Sequence, residues 1–228
     1  MTRDELDRRG AAGPWASLLL ALPAVLLHLT PPLTAWATFD RTAIAAGQLW
    51  RLLTGHWTHW SGEHLGWDLL VFAVVGAALE LRGRRRAFVS CTVLSALLIS
   101  GGVWVLHPGM AEYRGLSGID CALVTLVAVD LLRQSLRERR PGFSLALVGL
   151  LVGYLGKVSF ELATGQTLFV ASGEGLFVPV PLAHVLGGAL GIALGLSTPA
   201  SPPGRPEAKQ AARHLEGMTH ARQVPQAT

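Results

Sequence analysis

The chain has 228 residues, half of them hydrophobic and only 15% charged, with a net charge of +4 from 19 basic and 15 acidic side chains. A soluble domain of this size carries about 25% charged residues, and these apolar residues gather into blocks near the ~20 residues that cross ~30 Å of hydrocarbon. The composition therefore argues against a soluble enzyme. The basic residues fall in short clusters between the blocks, which marks membrane orientation and not a nucleic-acid-binding face.

In chain order, residues 1–13 form a polar segment with Arg3, Arg8 and Arg9, and the first apolar block runs from Pro14 to Trp36, interrupted by Pro23 and Pro31-Pro32. It is too long for a removable signal peptide and has no small-residue cleavage site. A mixed loop rich in Trp and His follows, Ala37 to Glu63. The second block covers His64 to Leu81, the third Ala87 to Leu106, the fourth Ser117 to Leu132, the fifth Gly142 to Leu162 and the sixth Pro179 to Ser197. A Gly-rich loop, Ala163 to Val178, separates the last two. Cys91 and Cys121 both lie inside apolar blocks and read as small buried side chains, giving neither a disulfide framework nor a CxxC metal site.

This pattern predicts an all-α, polytopic membrane protein with six transmembrane helices over residues 14–197. Basic clusters occur at the N-terminus, at Arg82–Arg86, at Arg133–Arg140 and in the tail, while the alternate loops hold only Arg41, Arg51 and Arg114. With six spans every cluster falls on one side, so both termini are expected in the cytoplasm. Residues 1–13 then form a cytoplasmic segment and residues 198–228, rich in Pro, Ala and charge, a disordered cytoplasmic tail. Spans two, four and six all run inward. His64, Ser117 and His184 lie at or near their outer ends and share one depth, since His64 to Glu80 and Ser117 to Arg133 are equal lengths of about 24 Å.

Ser117, within Gly115-Leu116-Ser117-Gly118, sits where a loop becomes a helix, a turn that can aim backbone amides at one point and leave a hydroxyl uncovered. A serine needs a base within hydrogen-bond reach, and an ionisable residue inside a membrane is a functional candidate. His184 is that candidate base. Gly187, Gly191 and Gly195 form a small-residue ridge on its helix, which lets another helix approach to backbone distance. The competing reading is a packing helix whose histidine bonds a carbonyl. His64 and Asp68 share a helix face. His64, with the amide of Ser117, can stabilise an oxyanion, provided that Asp68 is protonated or turned away to orient His64. A purely structural polar pair is the alternative.

Other polar residues have plainer readings. His56, His59, Glu63 and His64 lack HExxH spacing, so no metal is expected, and no cofactor motif occurs. Trp50-Arg51, Trp57 and Trp60 read as interfacial anchors. Lys157 and Glu161, four residues apart, read as an ion pair that shields two charges from lipid. Glu80 and Arg82 read as caps, and Asp120 either belongs to the site or caps its helix.

Taken together, these motifs resemble the rhomboid intramembrane serine proteases. Gly115-Leu116-Ser117-Gly118 is similar to their GxSG motif, Ala183-His184-x-x-Gly187-x-x-x-Gly191 to AHxxGxxxG, Trp50-Arg51 to their WR pair and His64 to Asp68 to HxxxN, with Asp in place of Asn. Glu80 resembles their glutamate at the inner end of the second span. The resemblance implies a Ser117–His184 dyad, an oxyanion site from His64, Asp68 and the backbone of Gly115, Leu116, Ser117 and Gly118, and helix packing through Gly187 and Gly191. It departs at Cys121, where many bacterial relatives place an aromatic against the histidine, and at Asp68. His64-Leu65-Gly66-Trp67-Asp68, Tyr113-x-Gly-Leu-Ser-Gly and the Lys157/Glu161 pair look like the rhombosortase subgroup. That implies single-pass membrane substrates with a C-terminal Gly-Gly and hydrophobic tail, and a bacterial inner membrane location with the site facing the periplasm. The rivals are an inactive rhomboid-like escort of membrane proteins and a metal-handling membrane protein.

Overall fold

The structure is a computed structural model, and it describes residues 13–166 and 180–197. The N-terminal segment, most of the Gly-rich loop and the tail lie outside the described residues.

About four fifths of the described residues are helical. Helix α1 (Trp15–Leu29) is followed at once by α2 (Pro31–Ala37), and the two axes meet at 118°. The break falls at Thr30, whose non-helical backbone reflects the clash that a following proline ring imposes on a helical residue. The first apolar block is thus a bent pair and not one straight span. The loop after it is ordered: β1 (Phe39–Asp40), α3 (Arg41–Ala45), α4 (Arg51–Thr54) and a 3₁₀ turn (Gly55–Trp57). Then come α5 (Gly62–Leu81), α6 (Arg85–Leu106), β2 (Glu112–Tyr113), α7 (Ser117–Arg137), α8 (Pro141–Thr164) and α9 (Pro181–Ser197). Strands β1 and β2 pair antiparallel, Phe39 opposite Tyr113, tying the first loop to the segment that precedes Ser117.

Length and composition single out α5, α6 and α8 as membrane-crossing helices, with the bent α1–α2 pair as a fourth. Two of the six expected spans fail that test for physical reasons. Helix α7 carries Asp120, Asp130 and Arg133, and it can do so because it runs through the middle of the bundle with both aspartates buried. Helix α9 has 17 residues, about 26 Å, just short of an unaided crossing.

The core is a continuous apolar cluster that includes Phe39, Phe72, Phe88, Ile99, Leu116, Ile119, Leu123 and Leu126, all nearly fully buried. The outer faces of α5, α6 and α8 are also apolar, with Leu70, Val74, Leu97, Leu145 and Val152 uncovered by protein. A helix greasy on all sides is one that packs inward and meets lipid outward. Helices α7 and α9 are parallel and in close register. At one end Ser117 meets His184; at the other the Arg133 guanidinium donates to Gly195 O at 2.7 Å. Helix α5 runs the same way, since its His64 end lies at Ser117 and its Arg82 donates to Gln134 Oε1 on α7 at 2.8 Å.

Candidate active site

Three helix N-terminal ends converge on one place, and the backbone before α7 explains how. Gly115 has φ +116°, a conformation that suits only glycine, and a Cβ there would come within 2.8 Å of the His64 ring. The turn buries Leu116, starts α7 at Ser117 and directs the amides of Leu116 and Ser117 out of the helix end.

Glycines set the distance between α7 and α9. A Cβ on Gly187 would collide with Gly118 O, one on Gly191 with Ala122 O, and one on Gly195 would lie 2.9 Å from Val129. The two backbones therefore touch, the small-residue packing that substitutes for hydrophobic driving force in lipid. Gly118 contributes from the α7 side: its added Cβ would meet Ile99 at 2.8 Å and Ala183 O at 3.0 Å. In this register His184 Nε2 lies 3.0 Å from Ser117 Oγ.

The far side of the imidazole is also held. Glu161 on α8 places Oε2 2.6 Å from His184 Nδ1, while its Oε1 accepts from Lys157 Nζ at 2.6 Å. Tyr154, from the same helix, fits against Gly188 and donates its hydroxyl to His184 O at 2.8 Å. An ionised carboxylate can only accept, so Nδ1 carries the hydrogen in this arrangement and Nε2 is left as the base toward Ser117. The sequence reading missed Glu161 as a neighbour of His184. The available signal was a glutamate and a lysine one turn apart at the outer end of a span, which it took for lipid shielding.

Asp68 is neither remote from the site nor turned from it. Its Oδ2 accepts from the amides of Leu116 at 2.8 Å and Ser117 at 3.1 Å, and lies 3.1 Å from His59 Nε2 and 3.2 Å from His64 Nε2. Four donors thus converge on one oxygen at the start of α7, where amides and helix dipole favour an anion. His59 is a second residue that the sequence did not assign to the site. Its ring is buried beside Asp68, and burial lowers its pKa against the opposing pull of the carboxylate. His56 points elsewhere, its Nε2 3.0 Å from both Ala96 O and Ser100 Oγ. His59 and His64 therefore share Asp68, while His56 serves α6.

Ser117, His184, His64 and Asp68 open onto a cavity of 570 Å³ between α5, α7 and α8. Its walls beyond the polar end are apolar, with Trp67, Val71, Val124, Leu150 and Tyr154. Asp120 and Cys121 also line it.

The arrangement defines a class: an integral membrane helical bundle with a hydroxyl and an imidazole in hydrogen-bond contact, beside a cluster of donors built for an anion. Comparison with known proteins gives the family. The Rhomboid domain matches residues 46–200, and the chain belongs to the rhomboid family. It is similar to the protein described as Rhomboid protease GlpG in two strains of Klebsiella pneumoniae, with 29% identity over 169 residues in each case. The match covers 69% of this chain and 59% of each relative, so the chain spans a little over half the length of these curated relatives.

Proposed function

We propose that this protein is an intramembrane serine endopeptidase in which Ser117 is the nucleophile and His184 the base. The observation that carries the reading is the 3.0 Å contact between Ser117 Oγ and His184 Nε2 at the head of two glycine-packed helices. Family membership and the GlpG relatives support the same chemistry.

The steps follow the serine-protease template. Ser117 Oγ forms a bond to the substrate carbonyl carbon as its proton passes to His184 Nε2. The tetrahedral oxyanion takes the position that Asp68 Oδ2 occupies at rest, on the amides of Leu116 and Ser117 and on His64. The C–N bond then breaks and the imidazolium gives its proton to the leaving amine. Water attacks the acyl-enzyme with His184 again as base and frees Ser117. For this to occur Asp68 must yield its donors to the substrate.

The charge pattern of the loops supports six spans with both ends cytoplasmic, placing the Ser117 end of the bundle toward the outside of a bacterial inner membrane. Residues 1–13, 14–197 and 198–228 then form a segment, a membrane domain and a tail. The substrate class that fits is a single-pass membrane protein, with Gly-Gly before its hydrophobic tail. Two glycines weaken a helix by about 1 kcal/mol each, which helps expose the scissile carbonyl.

The test is cleavage of a Gly-Gly-tailed single-pass fusion by purified protein in detergent, with fluorophosphonate labelling alongside. Ser117→Ala and His184→Ala are each expected to lower cleavage by about 10³-fold or more and to abolish labelling. Full cleavage by Ser117→Ala would overturn Ser117 as the nucleophile, whereas no cleavage by the unaltered protein together with a Ser117→Ala protein fully functional in cells would favour an escort function.

A further inference from the structure

We propose that Glu161, on the opposite side of His184 from Ser117, is a positioning residue that makes the site a serine–histidine–glutamate relay; the proposal rests on the protease reading above.

The ion pair alone does not account for the geometry. A glutamate that only neutralised Lys157 against lipid would sit on the outer face of α8. Glu161 instead is 1% exposed and faces α9. It uses both oxygens, Oε1 on Lys157 and Oε2 on His184 Nδ1, each at 2.6 Å. Tyr154, Lys157 and Glu161 are spaced three and four residues apart, so they share one face of α8. All three converge on one residue: Tyr154 on its carbonyl, Glu161 on its ring, and Lys157 Nζ 3.2 Å from Nδ1. Helix α8 buries little else, Ser144, Leu147 and Val158 being its other buried residues. Its closest polar attachment to α9 is therefore this saddle around the candidate base.

The chemistry gives the saddle a purpose. With Nδ1–H donating to Glu161, the Nε2 lone pair faces Ser117, and the opposite tautomer would forfeit the bond to the carboxylate. When Nε2 takes the serine proton, the imidazolium forms beside a carboxylate already in place. Lys157 supplies donors and no acceptor, so it cannot compete for the Nδ1 hydrogen. It balances the carboxylate and lets Glu161 stay ionised in an apolar bundle, where an unpaired buried charge would be costly.

The experiment uses full-length protein in detergent and follows two readouts, the rate of fluorophosphonate labelling and kcat against KM on the Gly-Gly-tailed fusion. Glu161→Gln is expected to lower the labelling rate and kcat by about 10²–10⁴-fold with KM held within about twofold, the signature of a mispositioned base. Glu161→Asp should recover at least about tenfold of that loss. A measurement that needs no variant at the glutamate comes from ¹⁵N-histidine-labelled protein. The signal removed by His184→Ala should show hydrogen on Nδ1, in a strong hydrogen bond, and none on Nε2. A Glu161→Gln protein that retains kcat and labelling within about threefold, or the opposite tautomer in the native protein, overturns the proposal. Cleavage that survives Ser117→Ala would remove Ser117 as the nucleophile and with it the serine-protease reading, an outcome distinct from failure of Glu161 alone.

Discussion

At the scale of single residues, Asp68 is the most consequential side chain that is not a reacting group. Its Oδ2 satisfies two backbone amides and two imidazoles at once. In the proposed reaction a substrate oxygen therefore competes with a resident anion. Asp68→Asn should relieve that competition and offer an N–H to the developing oxyanion. We expect kcat/KM on the Gly-Gly-tailed fusion to rise by up to about tenfold, roughly 1.4 kcal/mol, with a lower midpoint of thermal unfolding because the converging donors lose their charge partner. A fall in kcat/KM with unchanged thermal stability would contradict this account. The pairing of His64 with Asp68 was legible from four-residue spacing. The reach of Asp68 to α7 was not, because it depends on the positive φ of Gly115 and on how α5 lies against α7. Glu161 was half legible: its spacing from Tyr154 and Lys157 puts three polar groups on one face of α8, but nothing in an otherwise apolar helix says that this face meets α9.

At the scale of elements, the pairing of α7 with α9 fixes the distance between hydroxyl and imidazole. Gly187→Ala places a methyl group on the carbonyl oxygen of Gly118. The helices must part, and overpacking of this kind costs about 1–3 kcal/mol. A shift of about 1 Å at a reacting pair can cost ~10²-fold in rate. Gly187→Ala is therefore expected to lower both thermal stability and fluorophosphonate labelling. Gly101→Ala on α6, where nothing lies within 4 Å of the added group, should leave both unchanged. Equal behaviour of the two variants would refute close packing as the determinant. The four-residue glycine repeat made this contact legible in advance. The bend between α1 and α2 was only half legible: the prolines marked the interruption, but the direction taken after Thr30 is set by tertiary contacts. One of these is the Trp50 indole, stacked on Trp36 at 5.2 Å.

At the scale of the whole molecule, the first loop is a structural plug and not a surface connection. Arg51 is buried and donates to Ala35 O and Thr38 O. Arg41 closes the C-terminal end of α6 through the carbonyls of Val103, Trp104 and His107. His56 lies at the centre, with its ring edge-on to Tyr113 at 5.2 Å. Burial holds the His56 imidazole down at about 4, well under its ordinary 6.5. Above about pH 6.5 the ring is neutral folded or unfolded and full stability is present. Between about 6.5 and about 4 the unfolded chain binds a proton that the folded ring refuses, so stability falls as pH falls, by an amount on the order of 3 kcal/mol. The buried His59 adds a loss of the same sign. Thermal midpoints measured from pH 7.5 to 4.5 should decline through this window, and His56→Asn should flatten the decline. An equal slope in the variant would place the pH sensitivity elsewhere. Nothing in the spacing of the loop's Trp and His residues distinguished a plug from an interfacial belt, because both need amphipathic side chains.

Glu80 deserves a mechanical reading. From α5 it takes the amides of Ala16 and Ser17 and the Ser17 hydroxyl, and it also accepts from Arg85, which in turn reaches Gly13 O. The first helix is thus bolted to the same rod whose other end, about 24 Å away, holds His64 and Asp68. A tug or tilt applied to the leading helix at one membrane face would be levered to the reacting groups at the other.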